Sequence, residues 1–296
     1  MSILTTHQLT KHYGKITALN GLSIDIQPGM VYGILGPNGS GKTTTLGIVL
    51  GITRANSGTF QWFEGKYGKN ARRQIGSLLE TPNFYPNLNA VDNLQIVAHI
   101  KKVAEPKIDE RLELVNLLER KHSRFTTYSL GMKQRLAIAA AMIGDPEVLI
   151  LDEPTNGLDP QGIAEVRNTI LQIAQMGKTI IMASHILDEV EKICSHVAII
   201  KRGHLLATGT VGSILSDDQI LEVSAADMPA LKKMLAEIPE VNKMEEKEGL
   251  LLLHIEKGYA PARINDLAFR AGIILSHLRL KVKSLEAEFL EITSDH

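Results

Sequence analysis

Two short stretches carry residue types that could act on a triphosphate. Gly36-Pro37-Asn38-Gly39-Ser40-Gly41-Lys42-Thr43 places three glycines ahead of a lysine and a threonine. Glycines let successive backbone N–H groups turn inward around phosphate oxygens, and a helix starting at the lysine adds the positive end of its dipole. At that spacing Lys42 reaches the β and γ phosphates and the Thr43 hydroxyl is placed to ligate Mg²⁺. The second stretch, Val148-Leu149-Ile150-Leu151-Asp152-Glu153, is an apolar run ending in two carboxylates. An acid at the end of a buried strand beside a phosphate loop suits association with Mg²⁺, which is the role of Asp152. Glu153, one residue on, can face the attacking water as general base. Taken singly, a glycine-rich turn and a solvated acid pair are commonplace; together they predict nucleoside triphosphate hydrolysis.

These residues need strands and helices to hold them. Residues 30–35 form an uninterrupted apolar run, which suits a central strand buried on both faces, and the glycine-rich loop leads from it into a helix over 42–50. Further strands are predicted at 59–63, 75–79, 148–151, 179–183 and 196–200, and the first thirty residues read as short strands. Helices are predicted at 91–103, 108–119, 136–143, 161–175 and 187–194. Strands separated by helices predict an α/β fold with a mostly parallel sheet and right-handed crossovers.

Near Ser216 the pattern changes. Strand, helix, strand, strand, helix, strand follow in the order βαββαβ, so residues 1–216 and 217–296 are expected to form two domains. The second has a ferredoxin-like α+β order, with Ile274, Ser276, Leu278, Leu280 and Val282 alternating with polar residues. It carries no catalytic constellation. Packing or dimer support and ligand sensing both stay open for it, and His254 and His277 are isolated.

Three more motifs surround the acid pair: Tyr128-Ser129-Leu130-Gly131-Met132-Lys133-Gln134-Arg135, Asn156-Gly157-Leu158-Asp159-Pro160 and Ala183-Ser184-His185. With them the chain resembles the nucleotide-binding subunits of ATP-binding-cassette (ABC) transporters over about residues 2–215. The resemblance implies a P-loop NTPase of ABC ATPase type, with an antiparallel β subdomain and a helical subdomain over about 82–144. It implies ATP and Mg²⁺ bound by Gly36, Pro37, Asn38, Gly39, Ser40, Gly41, Lys42, Thr43 and Thr44. Asp152 and Glu80 would lie near the metal. Tyr13 would stack on adenine; the lesser alternative is a packed strand tyrosine. Ser129 and Gly131 would contact the γ-phosphate of ATP held by the opposite subunit, Asp159 would cross the dimer interface, and His185 would contact the γ-phosphate and orient water. A lone histidine at a strand end is otherwise structural.

The family relation also implies a homodimer, or a pair with a similar cassette, and a membrane permease on a separate chain. That permease's coupling helices would meet the segment after Glu80, which places the subunit in the cytoplasm on the inner face of the membrane. Two departures stand out. The signature reads Tyr-Ser-Leu-Gly-Met where the family has Leu-Ser-Gly-Gly-Gln, and Glu80 replaces a glutamine. Glutamate has similar reach but adds a negative charge and lacks the amide donor. Both departures resemble the subgroup that exports bacitracin and lantibiotic-type peptides.

Composition narrows the partners. Lys plus Arg number 32 against 33 Asp plus Glu, so no basic footprint for nucleic acid is visible. Cys194 is the single cysteine, which excludes an intramolecular disulfide and a multi-cysteine metal site. No charged start followed by an apolar run marks a secretory leader, and no apolar stretch approaches the roughly 18 residues of a membrane helix. A chromosome or repair ATPase would insert a long coiled coil, and no sustained heptads occur. A translation-associated protein would carry two cassettes and basic segments. A purely regulatory nucleotide-binding module would not need the full set of Lys42, Asp152, Glu153 and His185.

Overall fold

The computed structural model describes residues 2–79, 81–214, 219–247, 249–255, 259–281 and 285–294. Its first strand, β1 (Leu4–Tyr13), turns at Gly14 into β2 (Ile16–Leu22) as an antiparallel hairpin. β1 is longer than the short strands expected here because it is irregular rather than broken. Gln8 lies at φ 48°, and the pairing register shifts between His7 and Thr10. The residues before that irregularity pair with β3 (Asp25–Ile26), and those after it pair with β2. The chain then enters β4 (Val31–Leu35), buried at every residue, and α1 (Lys42–Val49). It returns as β5 (Ser57–Trp62) along β1 to complete the antiparallel sheet.

β6 (Ile75–Leu78) leads towards three helices, α2 (Ala90–Lys101), α3 (Ile108–Leu114) and α4 (Leu130–Ala141). Asn89 caps α2 by accepting from the Asp92 amide at 2.9 Å. At the other end of α2, Lys101 Nζ donates to the carbonyls of Ala140, Ala141 and Ile143 at 3.0–3.1 Å, satisfying the open C-terminus of α4. α3 stops five residues before the expected end at 119. Asn116 adopts φ 54°, its amide bonds Glu113 O, and the Leu117 amide reaches back to Leu112 O. This paired closure ends the helix although the apolar periodicity continues. α4 starts six residues earlier than the expected 136, because Ser129 caps it ahead of the apolar run.

The C-terminus of α4 lies directly on β6. A Cβ at Gly76 would be 2.2 Å from Ala141 O, so only glycine permits the approach. Gly76→Ala is expected to destabilise the protein by about 1–3 kcal/mol through forced displacement of α4. A lowered Tm in a thermal melt is the check.

The chain continues through β7 (Val148–Asp152), α5 (Pro160–Gln175), β8 (Thr179–Ser184), α6 (Leu187–Ile193), β9 (His196–Lys201), β10 (His204–Thr210) and a single turn, α7 (Val211–Ile214). The main sheet has the order β10-β9-β4-β8-β7-β6. It is parallel except for β10, which pairs antiparallel with β9. β10 was not expected from the sequence. Its turn is Arg202-Gly203, both at positive φ, and Arg202 hides the two-residue hairpin that an asparagine or aspartate would have announced.

The chain divides into two compact units, Met1–Val211 and Gly212–His296. The second runs β11 (Gln219–Ala225), α8 (Met228–Ala236), β12 (Val241–Lys247), β13 (Leu250–Ile255), α9 (Pro261–Arg270), β14 (Leu275–Lys281) and α10 (Leu285–Ser294). Its antiparallel sheet has the order β12-β13-β11-β14, the ferredoxin-like arrangement. Leu221, Val223, Leu251, Leu253 and Ile255 face Leu231, Leu235 and Ile264 in its core. Ile274, expected on the core face of the last strand, is 83% exposed. A register shift opposite Ser224 and Ala225 puts Leu275 inward instead, and Val282 lies outside the described residues.

Candidate functional site

β4 delivers the chain into the glycine-rich loop with no slack. A Cβ at Gly36 would lie 2.2 Å from Ile200 O and 2.4 Å from Ser40 Oγ, so the loop must begin with glycine. Gly41, at φ 113°, closes it, and a Cβ there would meet Ala18 O at 2.5 Å. Pro37, Asn38 and Gly39 form the exposed tip. Ser40 is buried, and its Oγ makes no hydrogen bond among the described residues. A buried hydroxyl beside a ring of amides suits an arriving phosphate oxygen. Lys42 opens α1 and folds back over the loop, donating to Gly36 O at 2.8 Å and Pro37 O at 3.4 Å. Thr43 is exposed and Thr44 half-buried on the first turn.

The acid pair enters from β7. Asp152, the last residue of the strand, is 2% exposed. Glu153 departs from extended geometry to φ 50°, and its amide donates to Ala183 O at 3.0 Å. A left-handed glutamate costs about 1–3 kcal/mol, and such strain tends to collect at functional sites. The turn aims the carboxylate back at the loop. Oε1 is 3.4 Å from Lys42 Nζ, while Oε2 is 2.8 Å from His185 Nδ1 and accepts from the His185 amide at 3.3 Å. His185 follows the end of β8, whose register sets Ala183 opposite Asp152. Glu153 therefore bridges Lys42 and His185.

Thr43, Asp152 and Glu153 also line a cleft of about 300 Å³ with Thr81, Pro82, Leu130, Gln134 and Asn156. Thr81, Gln134 and Asn156 are the polar residues that sequence reasoning left without a role. Gln134 is the fourth residue after Leu130, so it shares that residue's helix face. Asn156 sits three residues after Glu153, and its amide donates to Glu153 O at 3.1 Å. Glu80 lies outside the described residues.

Ser129, Gly131 and Asp159 form a second grouping. Ser129 caps α4, accepting from the Met132 amide at 3.2 Å, and Asp159 caps α5, accepting from the Gly162 amide at 2.8 Å. A Cβ on Gly131 would lie 3.4 Å from Gly162 Cα, so the two helix N-termini are side by side. Because Ser129 accepts in its cap, its own hydroxyl proton stays available to a ligand. Among the described residues, no hydrogen bond or ion pair joins these three to Lys42, Glu153 or His185. Tyr13 lies elsewhere again, at the end of β1. It is 49% exposed rather than packed in the core, with Lys11 Nζ 4.9 Å from its ring centroid.

The chain is similar to known proteins over most of its length. The family model described as "ABC transporter" matches residues 19–156. The bacitracin transport ATP-binding protein BcrA of Bacillus licheniformis is 37% identical over 298 residues, covering 98% of this chain and 97% of the relative. The lantibiotic transport ATP-binding protein SrtF of Streptococcus pyogenes is 42% identical over 205 residues, 69% of this chain and 89% of its own. Among solved structures, cbiO1 from Clostridium perfringens, part of the ABC transporter complex cbiONQ, superposes with a TM-score of 0.66. It is 28% identical, with coverage of 80% of this chain and 96% of that one. The ADP conformation of MJ1267, an ATP-binding cassette of an ABC transporter, gives a TM-score of 0.64 at 26% identity, covering 71% of this chain and 91% of that one.

Proposed function

We propose that this chain, which belongs to the ATP-binding subunits of ABC transporters, hydrolyses ATP at a site completed by a second copy of itself and thereby drives a membrane permease. The observation that carries the reading is the contact of Lys42, Glu153 and His185 at the mouth of the glycine loop. The loop amides and Lys42 bind the β and γ phosphates. Glu153 takes a proton from water as its oxygen attacks the γ-phosphorus, and the bond to the ADP oxygen breaks. His185 holds the Glu153 carboxylate in place and meets the γ-phosphate. Tyr13 offers an exposed ring face to adenine.

Thr43 and Asp152 present hard oxygen donors on the wall of one cleft, which fits Mg²⁺. Among the described residues no group of three or more His, Cys, Asp or Glu could hold a metal ion. Bound there, Mg²⁺ supplies charge neutralisation along the β and γ phosphates.

The paired helix N-termini at Ser129 and Asp159 complete the site of the other copy rather than their own. They make no polar contact with Lys42, Glu153 or His185 among the described residues, yet present amides and a free hydroxyl proton suited to an anion. Each ATP bridges two copies, and its cleavage removes the bridge. Specific ATPase activity should therefore rise with protein concentration, because monomers lack half of each site. Activity per molecule that stays constant on dilution to monomer would contradict the shared site.

No helix among the described residues is long and apolar enough to cross a membrane. The transport path belongs to a permease on a separate chain, with this subunit at the inner face. The likeness to BcrA and SrtF, together with Glu80 and the Tyr-Ser-Leu-Gly-Met signature, supports export of a peptide antibiotic as the cargo. Loss of the chain should raise its host's sensitivity to such a peptide. Unchanged sensitivity across bacitracin and lantibiotics would reject that cargo while leaving the ATPase reading intact.

A further inference from the structure

We infer that Arg135 is a positioning residue that locks the helix N-termini bearing Ser129 and Asp159 into one rigid body. The inference rests on the shared-site reading above. Arg135 is 5% exposed, and its guanidinium joins three elements. Nη1 donates to Val115 O at 2.6 Å and Asn116 O at 3.0 Å, the carbonyls just beyond α3. Nη2 meets Glu165 Oε2 on α5 at 2.9 Å, and the other oxygen of Glu165 accepts from Gln161 Nε2 at 3.1 Å.

The placement of this contact gives it a mechanical role. At Gly131 and Gly162 the backbones of α4 and α5 come within van der Waals contact with no side chain of either glycine between them. A glycine contact lets two helices approach but supplies no directional bond between them. Arg135 lies four residues along α4 from Gly131, and Glu165 three residues along α5 from Gly162. Their ion pair is a second attachment on the same faces, one turn deeper. With both contacts present, Ser129 and Asp159 keep a fixed separation while the assembly meets the partner's triphosphate. The bonds to Val115 and Asn116 hold the guanidinium plane, so α3 sets the angle at which Arg135 reaches Glu165. A lysine cannot replace this fork, because three acceptors in one plane need a guanidinium.

The test uses the full chain carrying Glu153→Gln, in which ATP should trap the dimer. Arg135→Lys and Glu165→Gln are added separately. Affinity for a fluorescent ATP analogue is measured on dilute monomer, and the dimer dissociation constant with ATP by analytical ultracentrifugation. Both additions should weaken the dimer about tenfold or more and leave monomer nucleotide affinity within about twofold, since a lost second attachment acts only where the copies meet. If neither addition changes the dimer constant while the parent dimerises, this inference fails alone. Equal loss of nucleotide affinity and dimer in Glu165→Gln would reduce Arg135 to a general stabiliser and also overturn it. A parent that stays monomeric with ATP sinks the shared site and the inference with it. If Arg135→Lys does not fold, Glu165→Gln decides, because Glu165 is one-third exposed.

Discussion

Glu153→Gln is expected to lower ATP turnover by about 10²–10⁴-fold, the usual contribution of a positioned general base, while leaving ATP binding intact. The amide matches the carboxylate in size and can still bond to His185, but it cannot take a proton from water. Its second effect follows from the ion pair with Lys42, 3.4 Å away. With the carboxylate neutralised, Lys42 loses a competitor for the phosphates, so ATP affinity should hold or tighten. A chain that binds ATP and cannot cleave it should remain paired, and gel filtration with ATP should show a dimer. Turnover within a few-fold of the parent would remove Glu153 from the role of base.

Lys42→Ala is expected to weaken ATP binding by about 100-fold or more. A hydrogen bond to a charged group contributes about 1.5–3 kcal/mol, and this ammonium is placed to make more than one to the phosphates. The loss is compounded at Glu153, which is 21% exposed and would keep its negative charge facing the incoming triphosphate without the neighbouring cation. Isothermal titration with a non-hydrolysable ATP analogue is the check. Unchanged affinity would remove the lysine from the phosphate site. The fold should survive, because among the described residues the Lys42 ammonium bonds only to loop carbonyls and Glu153.

The parts of the molecule visible in the sequence are those where chemistry admits few residue types. The loop from Gly36 to Thr43 could be read because backbone crowding at Gly36 and Gly41 excludes every side chain. The strands at 31–35 and 148–152 could be read because burial on both faces of a parallel sheet leaves an unbroken apolar run. What stayed hidden was decided by geometry with weak local signals. The turn into β10 uses Arg202 where a small polar residue is usual, and α3 ends on Asn116 in a left-handed conformation inside a helical pattern. Ile274 alternates correctly on paper and faces solvent because of one irregular pairing.

The site divides along the same line. Nothing in the residue order announces that Glu153 takes φ 50° to meet Lys42 and His185 at once. Nor does it announce that Arg135 gathers carbonyls 19 and 20 residues earlier and a carboxylate on another helix. Such contacts depend on how elements cross, and crossing is a property of the packed chain. That no hydrogen bond or ion pair among the described residues joins Ser129 or Asp159 to Glu153 is likewise visible only in the folded protein.

Whether two copies share one ATP is decided by a crystal structure of the Glu153→Gln chain with ATP. A shared site requires a dimer in which Ser129 Oγ and the Gly131 amide of one copy lie about 2.7–3.2 Å from γ-phosphate oxygens held by Lys42 of the other. ATP bound in a monomer, or in a dimer whose Ser129 faces solvent, would contradict it.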